Sequence, residues 1–328
     1  MLTYILRRIA LAVSVVLATL VSTFLLFFAA PSDPALALCP DTKCPPARLE
    51  AIRANLGLNK PLAQQFTDYF SGLFAGRDFV YAGDQVHCSA PCLGYSFVTR
   101  QSVNTELFSR FPNTVVLAIM AAVIFLTVGI TLGILAAVRR GTSSDRGIVG
   151  VSQVIGAIPY YILALLVALY PVTLWHVLPQ YTSISSGVGP YIAGMLAPAL
   201  ILGLVTSTTY VRYTRNSMLE SLSMDYIRTA RSKGIGERRV LVRHGFRAAM
   251  SPILTILGLD MAALLTGTLI TEQIFGVDGI GKRTITAFKA DDLPVIMGSV
   301  LISAVIVVMM NLIVDIGYSF IDPRVRLS

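Results

Sequence analysis

Residues 216–250 read NSMLESLSMDYIRTARSKGIGERRVLVRHGFRAAM, a polar and basic segment set between long apolar runs. Leu219, Leu222, Tyr226, Ile227 and Ala230 recur at helical spacing and form one apolar stripe, while Arg228, Arg231 and Lys233 lie off it. Lys233 followed by Gly234 is a helix-stop pattern: a cation at the negative end, then a residue that accepts positive φ. Gly236 continues the break, and Glu237 opens a second short helix with Val240, Leu241 and Phe246 as its apolar positions. The segment is expected to fold as helix, sharp turn, helix. Composition leaves two readings open, a solvated basic loop or a helix lying on anionic lipid.

The flanking runs set the class. A mean hydropathy of +0.71 with only 13% charged residues excludes an ordinary soluble domain. Six apolar runs near the length that spans a membrane, about 20 residues or more, lie near 9–30, 114–138, 148–174, 192–211, 253–270 and 295–320. The third holds Pro159 and Pro171 and should be kinked. The expected fold is an all-α integral membrane protein of about six transmembrane helices. Its parts are a first helix (1–30), an extracytoplasmic insertion (31–112), a five-helix core (113–320) and a tail (321–328).

Charge gives the expected orientation. Of the 26 Lys and Arg residues, 16 fall on the side that carries Arg7, Arg8, Arg139, Arg140, Arg146 and the basic segment. Basic residues near helix ends stay inside, so both termini and 216–250 are placed in the cytoplasm of a multi-pass cell (inner) membrane protein. The pI of about 9.5 reflects this asymmetry; neither zinc-finger spacing nor a basic stripe on a soluble face points to nucleic acid. The first run is too long for a cleaved signal's apolar region. Leu38 is too large before Cys39 for a lipidation box, so a retained helix is expected.

All four cysteines, Cys39, Cys44, Cys88 and Cys92, fall in the insertion. Outside the cytoplasm they can pair, and the local pairing Cys39–Cys44 with Cys88–Cys92 is the reading chosen among three connectivities. Free thiols and a zinc site are the alternatives, the latter without the usual CxxC spacing. Residues 48–58 and 63–73 are read as short helices of the insertion.

Within the runs, polar groups are few. Gln153, Tyr160 and Tyr161 beside Pro159 either line a pathway or pack against a neighbouring helix. Asp260 carries an insertion cost of about 2.5–3.5 kcal/mol at mid-membrane. It should face protein or water, as part of a solute route or as an acceptor for a partner helix. Residues 276–282, GVDGIGK, imitate a phosphate loop, but Arg283 stands where a magnesium-binding hydroxyl is required and no strand precedes it. The three histidines, His87, His176 and His244, form no metalloprotease pair, and no GxSxG elbow exists. No cofactor or metal is expected in this chain.

Residues 225–252, DYIRTARSKGIGERRVLVRHGFRAAMSP, resemble the cytoplasmic loop of permease subunits in binding-protein-dependent ABC importers, dipeptide/oligopeptide/nickel branch. The family's general loop begins Glu-Ala-Ala and reaches Gly four residues after the second Ala. Here those positions are Arg228, Thr229, Ala230 and Gly234, so only the second Ala and the Gly are kept. The peptide branch's own form is similar to Tyr226, Thr229-Ala230-Arg231, Lys233-Gly234 and Arg243-His244. The resemblance extends through the C-terminal half to Asp322-Pro323-Arg324.

The resemblance implies a type I importer core in which Tyr226, Thr229, Ala230, Arg231, Lys233, Gly234, Glu237 and Arg238 couple the helices to an ATPase. It implies a second homologous permease subunit and two ATP-binding subunits or one fused ATPase, which hold ATP and Mg. An extracytoplasmic solute-binding protein and membrane lipid complete the partners. The stretch 272–281 resembles the family's loop after span five, so Glu272, Phe275, Asp278, Gly279 and Gly281 are expected to face the binding protein, the alternative being a re-entrant structural loop. Di- and oligopeptides are the solutes implied most directly. Nickel is the alternative, without an external His or Met cluster to support it. A secondary transporter would show paired broken segments and repeated halves, which are not apparent, and a scaffold would need neither Asp260 nor the shaped loop.

Overall fold

The computed structural model describes residues 2–28, 45–55, 59–81, 84–96 and 98–321. The helices are α1 (Leu2–Phe28), α2 (Pro46–Asn55), α3 (Leu62–Ala75), α4 (Val103–Val138), α5 (Ser143–Ala157), α6 (Tyr160–Val167), α7 (Val188–Ser223), α8 (Asp225–Ser232), α9 (Glu237–Arg239), α10 (Arg247–Leu265), α11 (Leu269–Phe275), α12 (Ile280–Lys289) and α13 (Leu293–Ile321). π-Helical turns follow α6 (Ala168–Leu174) and α9 (Val240–Phe246). The strands are β1 (Arg77–Tyr81), β2 (Asp84–Cys88), β3 (Tyr95–Ser96) and β4 (Gln101–Ser102), pairing antiparallel as β1–β2 and β3–β4.

Among the described residues, five helical stretches are long and apolar enough to cross a membrane, and a bent pair can supply a sixth. The bent pair corrects the third expected span. α5 and α6, with the π turn after it, meet at 90° instead of forming one kinked rod. The break is at Ile158 (φ −80°, ψ 130°), where the following Pro159 pushes its neighbour out of the α region. Two boundaries also move. α4 starts at Val103, about ten residues before the expected second span, and Pro112 lies inside a helix. α7 runs on to Ser223, well past the apolar run. The hairpins were not foreseen in an insertion for which only two short helices were expected.

The chain divides into two compact units, Val115–Val277 with the chain from Met309 on, and Leu2–Thr114 with Asp278–Val308. In the first, α4 lies close against α7 because Gly129 and Gly133 present no side chain. A Cβ at Gly133 would stand 2.5 Å from Cβ of Thr214, and one at Gly129 would collide with Cβ of Tyr210. Small residues four apart are the usual device for such approach. The Phe125 ring lies tilted against Tyr210 at 4.6 Å, and Ala118, Ala121, Leu202 and Ile253 are part of this core. Arg215 on α7 holds Asp145 with two hydrogen bonds of 2.6 and 2.8 Å, while Asp145 also accepts from the Gly141 N–H at 2.9 Å.

The second unit is built on a buried ion cluster. Arg283 on α12 reaches Glu106 at 2.5 Å and Asp292 at 2.7 Å, and all three side chains are buried. Ser96 donates to Asp292 at 2.6 Å, and Thr99 donates to Glu106. Around it pack Leu20 and Phe24 of α1, Tyr69 and Leu73 of α3, and Leu107, Ile280 and Val295. Cys88 and Cys92 are joined in a disulfide; Cys39 and Cys44 lie outside the described residues. Arg77 sits 4.9 Å over the Tyr69 ring and 5.0 Å over Phe79. Burial pushes the Tyr69 hydroxyl up and the Arg77 guanidinium down from their ordinary pKa values.

Candidate functional site

The apolar stripe read from the sequence does not lie on one helix. α7 stops at Ser223, Met224 is extended (φ −71°, ψ 149°), and α8 starts afresh at Asp225. Leu222 ends the first helix; Ile227 and Ala230 belong to the second, where they pack with Val240 and Ile235. Ile227 and Val240 have 0% exposure. Arg228, Arg231 and Lys233 are exposed on the other side of α8. Tyr226 leaves the apolar face. It is 45% exposed, and its hydroxyl pairs with Ser221 Oγ at 2.9 Å.

The end of α8 is a Schellman turn. The Ile235 N–H donates to the Ala230 carbonyl (3.3 Å) and the Gly234 N–H to the Arg231 carbonyl (3.0 Å). Gly234 supplies the required left-handed residue at φ +73°, and Ile235 meets Ala230 as the apolar contact of that motif. Across the turn Arg231 grips Glu237 through Nε (3.1 Å) and Nη2 (2.6 Å). Thr229 Oγ1 donates to the Asp225 carbonyl at 3.0 Å.

The second helix is not short. α9 passes through the π turn into α10, so 237–265 form one continuous helical run. Ser221 Oγ donates to the Gly245 carbonyl of that turn at 2.9 Å. A Cβ on Gly245 would come within 3.0 Å of Leu222 Cδ2. Gly236, Glu237, Arg238, Arg239, Val242 and Arg243 line an open groove of about 690 Å³ beside the turn. Mechanically, α8 is clamped at both ends: through Ser221 and Tyr226 to α7, and through Gly234 and Glu237 to the helix leading into α10. A push on α8 reaches two membrane helices without an intervening floppy loop.

The other expected residues scatter. Tyr210 donates to Asp260 at 2.8 Å, and Tyr160 shares a 2.6 Å hydrogen bond with Thr271. Gln153 and Tyr161 are exposed. Of the residues expected to face a binding protein, Glu272, Gly279 and Gly281 are buried and Phe275 is half-buried. Asp278 is exposed and pairs with Arg110 at 3.0 Å. Sequence reasoning missed Ser221, Gly245 and the Asp145–Arg215 pair, whose partners lie 24 and 70 positions apart. The spacing of Gly129 and Gly133 was a readable signal. Among the described residues, no group of three or more His, Cys, Asp or Glu side chains is placed to hold a metal ion.

Comparison with known proteins gives this geometry its context. The chain is 33% identical to the dipeptide transport system permease protein DppB of Escherichia coli K12, over 99% of both chains. It is 37% identical to a peptide transport system permease protein of Brucella abortus, over 98% of both. Its fold is similar to that of a chain in the inward-facing MetNI methionine ABC transporter. That match has a TM-score of 0.54 at 14% identity and covers 66% of this chain and 97% of that one. Residues 1–118 match the N-terminal model of the binding-protein-dependent transport system membrane component. Residues 129–327 match that of the inner membrane component, and the chain with its break-and-clamp element after α7 therefore belongs to the binding-protein-dependent transport system inner membrane component family.

Proposed function

We propose that this permease forms half of the translocation pathway of an ATP-driven importer of di- and oligopeptides, and that α8 is where a partner ATPase acts on it. The observation that carries the reading is the clamped α8, with a basic outer face and no slack on either side. In this reading 216–250 and both termini are cytoplasmic, and α8 docks through Tyr226, Thr229, Arg231, Lys233 and Arg238. Ala230, Gly234 and Glu237 keep its shape. The chain is non-catalytic, and ATP and Mg belong to the ATPase subunits. A second homologous permease completes the pathway, and an extracytoplasmic protein delivers the solute. The near-full-length likeness to proteins named for dipeptide and peptide transport supports the choice of solute.

The mechanism follows from the clamps. Closure of the ATPase dimer moves α8; α7 and α10 move with it, and the membrane helices open to the outside to receive peptide. The coupling is of the order of 1–3 kcal/mol, the usual scale between sites in one protein. Asp260, Gln153, Tyr160 and Tyr161 are assigned to the pathway, and the face around Asp278 to the binding protein. Purification of the tagged chain from its native membrane should bring ATPase subunits with it, and vesicles holding that complex with ATP enclosed should take up labelled dipeptide when the solute-binding protein is supplied outside. Uptake of nickel but not of peptide, or uptake without any ATPase, would overturn the proposal.

A further inference from the structure

α3 carries more apolar surface than its own unit covers. Leu62, Phe66, Tyr69, Phe70, Leu73 and Phe74 fall within one arc of roughly 140°, and Gln64, Asp68 and Ser71 occupy the opposite side. One edge of the arc is buried: Tyr69 and Leu73 pack with Leu20 and Phe24 of α1, and the Phe24 ring meets Phe66 edge-on at 5.2 Å. From there a row of rings leads outward, Phe66 to Phe70 at 6.1 Å and Phe70 to Phe74 at 5.3 Å. It ends on Phe74, which is 73% exposed.

The position along α1 says what covers that edge. The apolar window Arg8–Leu25 is 18 residues long, about 27 Å at 1.5 Å per residue, close to the roughly 30 Å of a bilayer's hydrocarbon core. Ile9, Leu11, Val13, Val15, Val21 and Leu25 are exposed along it, the surface of a helix bathed in lipid. Phe24 sits at the end remote from the N-terminus, so the row of rings continues that lipid-facing surface at the level of the far headgroup boundary. The polar side of α3 has one charge of its own, Asp68, which is paired with Lys60 at 2.6 Å. Attraction to anionic headgroups is therefore not what would hold it there.

We propose that α3 is an interfacial helix, lying in the plane of that boundary with Phe70 and Phe74 among the upper acyl chains and Gln64, Asp68 and Ser71 toward water. The insertion is thereby fixed to the bilayer as well as to its own unit. The test uses the full chain with its single tryptophan removed (Trp175→Phe) and Phe74→Trp added, in phosphatidylcholine vesicles brominated either near the headgroup or near the acyl terminus. Bromine near the headgroup should quench the new indole about twofold or more, as expected for interfacial depth, and bromine at the acyl terminus less. Ser71→Trp on the polar side should be unaffected by either. Phe70→Trp is read in the same way should Phe74→Trp fail to insert. Emission typical of water without quenching would overturn the proposal. So would blue-shifted emission without quenching, which would assign the edge to a protein partner.

Discussion

The Tyr210 hydroxyl donates to Oδ2 of Asp260 at 2.8 Å, joining α7 to the C-terminal third of α10. Tyr210 has 0% exposure and Asp260 is half-buried. The donor is thus fixed by packing while the acid keeps one side open. Asp260→Ala should leave the chain in the membrane at near-normal abundance and lower peptide uptake. Tyr210→Phe loses this bond but leaves the acid its open side, at roughly 0.5–1.5 kcal/mol; Asp260→Ala strands the fully buried Tyr210 hydroxyl, at about 1–3 kcal/mol, and should lower thermal stability in detergent more. Full uptake by Asp260→Ala at normal abundance would end its assignment to the pathway.

Gly234 offers a test separable from crowding. Nothing lies within 4 Å of the place its Cβ would occupy, so within the chain the first cost of a side chain there is its positive φ. A β-branched residue forced to +73° should lose roughly 1–2 kcal/mol of turn stability, and Asn less. Gly234→Val should insert normally yet uncouple ATP hydrolysis from uptake, while Gly234→Asn keeps most transport. Equal, wild-type behaviour of both would count heavily against α8 as the docking element.

The Arg283 cluster predicts a stability effect distant from coupling. Arg283→Leu leaves Glu106 and Asp292 buried without their cation, at a cost of about 3–5 kcal/mol. The variant should be depleted in membranes or melt earlier in detergent. Adding Glu106→Gln and Asp292→Asn should restore part of the loss. A variant as stable as the parent would mean that the cluster is hydrated in solution.

The disulfide closes a short loop, so its removal should be mild. Chain-entropy arguments give about 2 kcal/mol for a loop of this size. Cys88→Ser with Cys92→Ser should lower the melting temperature of the full chain without abolishing insertion. In the parent protein, Cys88 and Cys92 should resist alkylation until reductant is added, as read by peptide mass.

Close helix approach at α4 is the most demanding feature. Gly133→Leu sets a large side chain against Thr214, and overpacking of this kind costs about 1–3 kcal/mol or more. The expected result is loss of assembled protein, with Gly133→Ala intermediate. Pulse-chase abundance and detergent melting would measure both.

What the sequence made legible was local. Lys233-Gly234 announced its stop because the signal is carried by adjacent residues, and the structure uses it as a Schellman turn. The break at Met224 was hidden, since the apolar spacing of Leu219, Leu222, Tyr226 and Ile227 runs straight through it and neither Gly nor Pro marks it. Pro159 announced a bend but not its size, which is set by what α6 packs against, including the bond from Tyr160 to Thr271. Arg283 was recognisable only as the wrong residue for a nucleotide site. Its real partners, Glu106 and Asp292, lie 177 and 9 positions away, and no periodicity connects them.

One consequence follows from the absent side chain at Gly129. The backbone of α4 abuts Tyr210 at that point, and Tyr210 is the residue that steadies Asp260. A single methyl on one helix would therefore nudge a phenol on the second and loosen an acid on the third. With Asp260 in the pathway as proposed, the chemistry felt by a passing solute would then be adjustable from a position that never meets it.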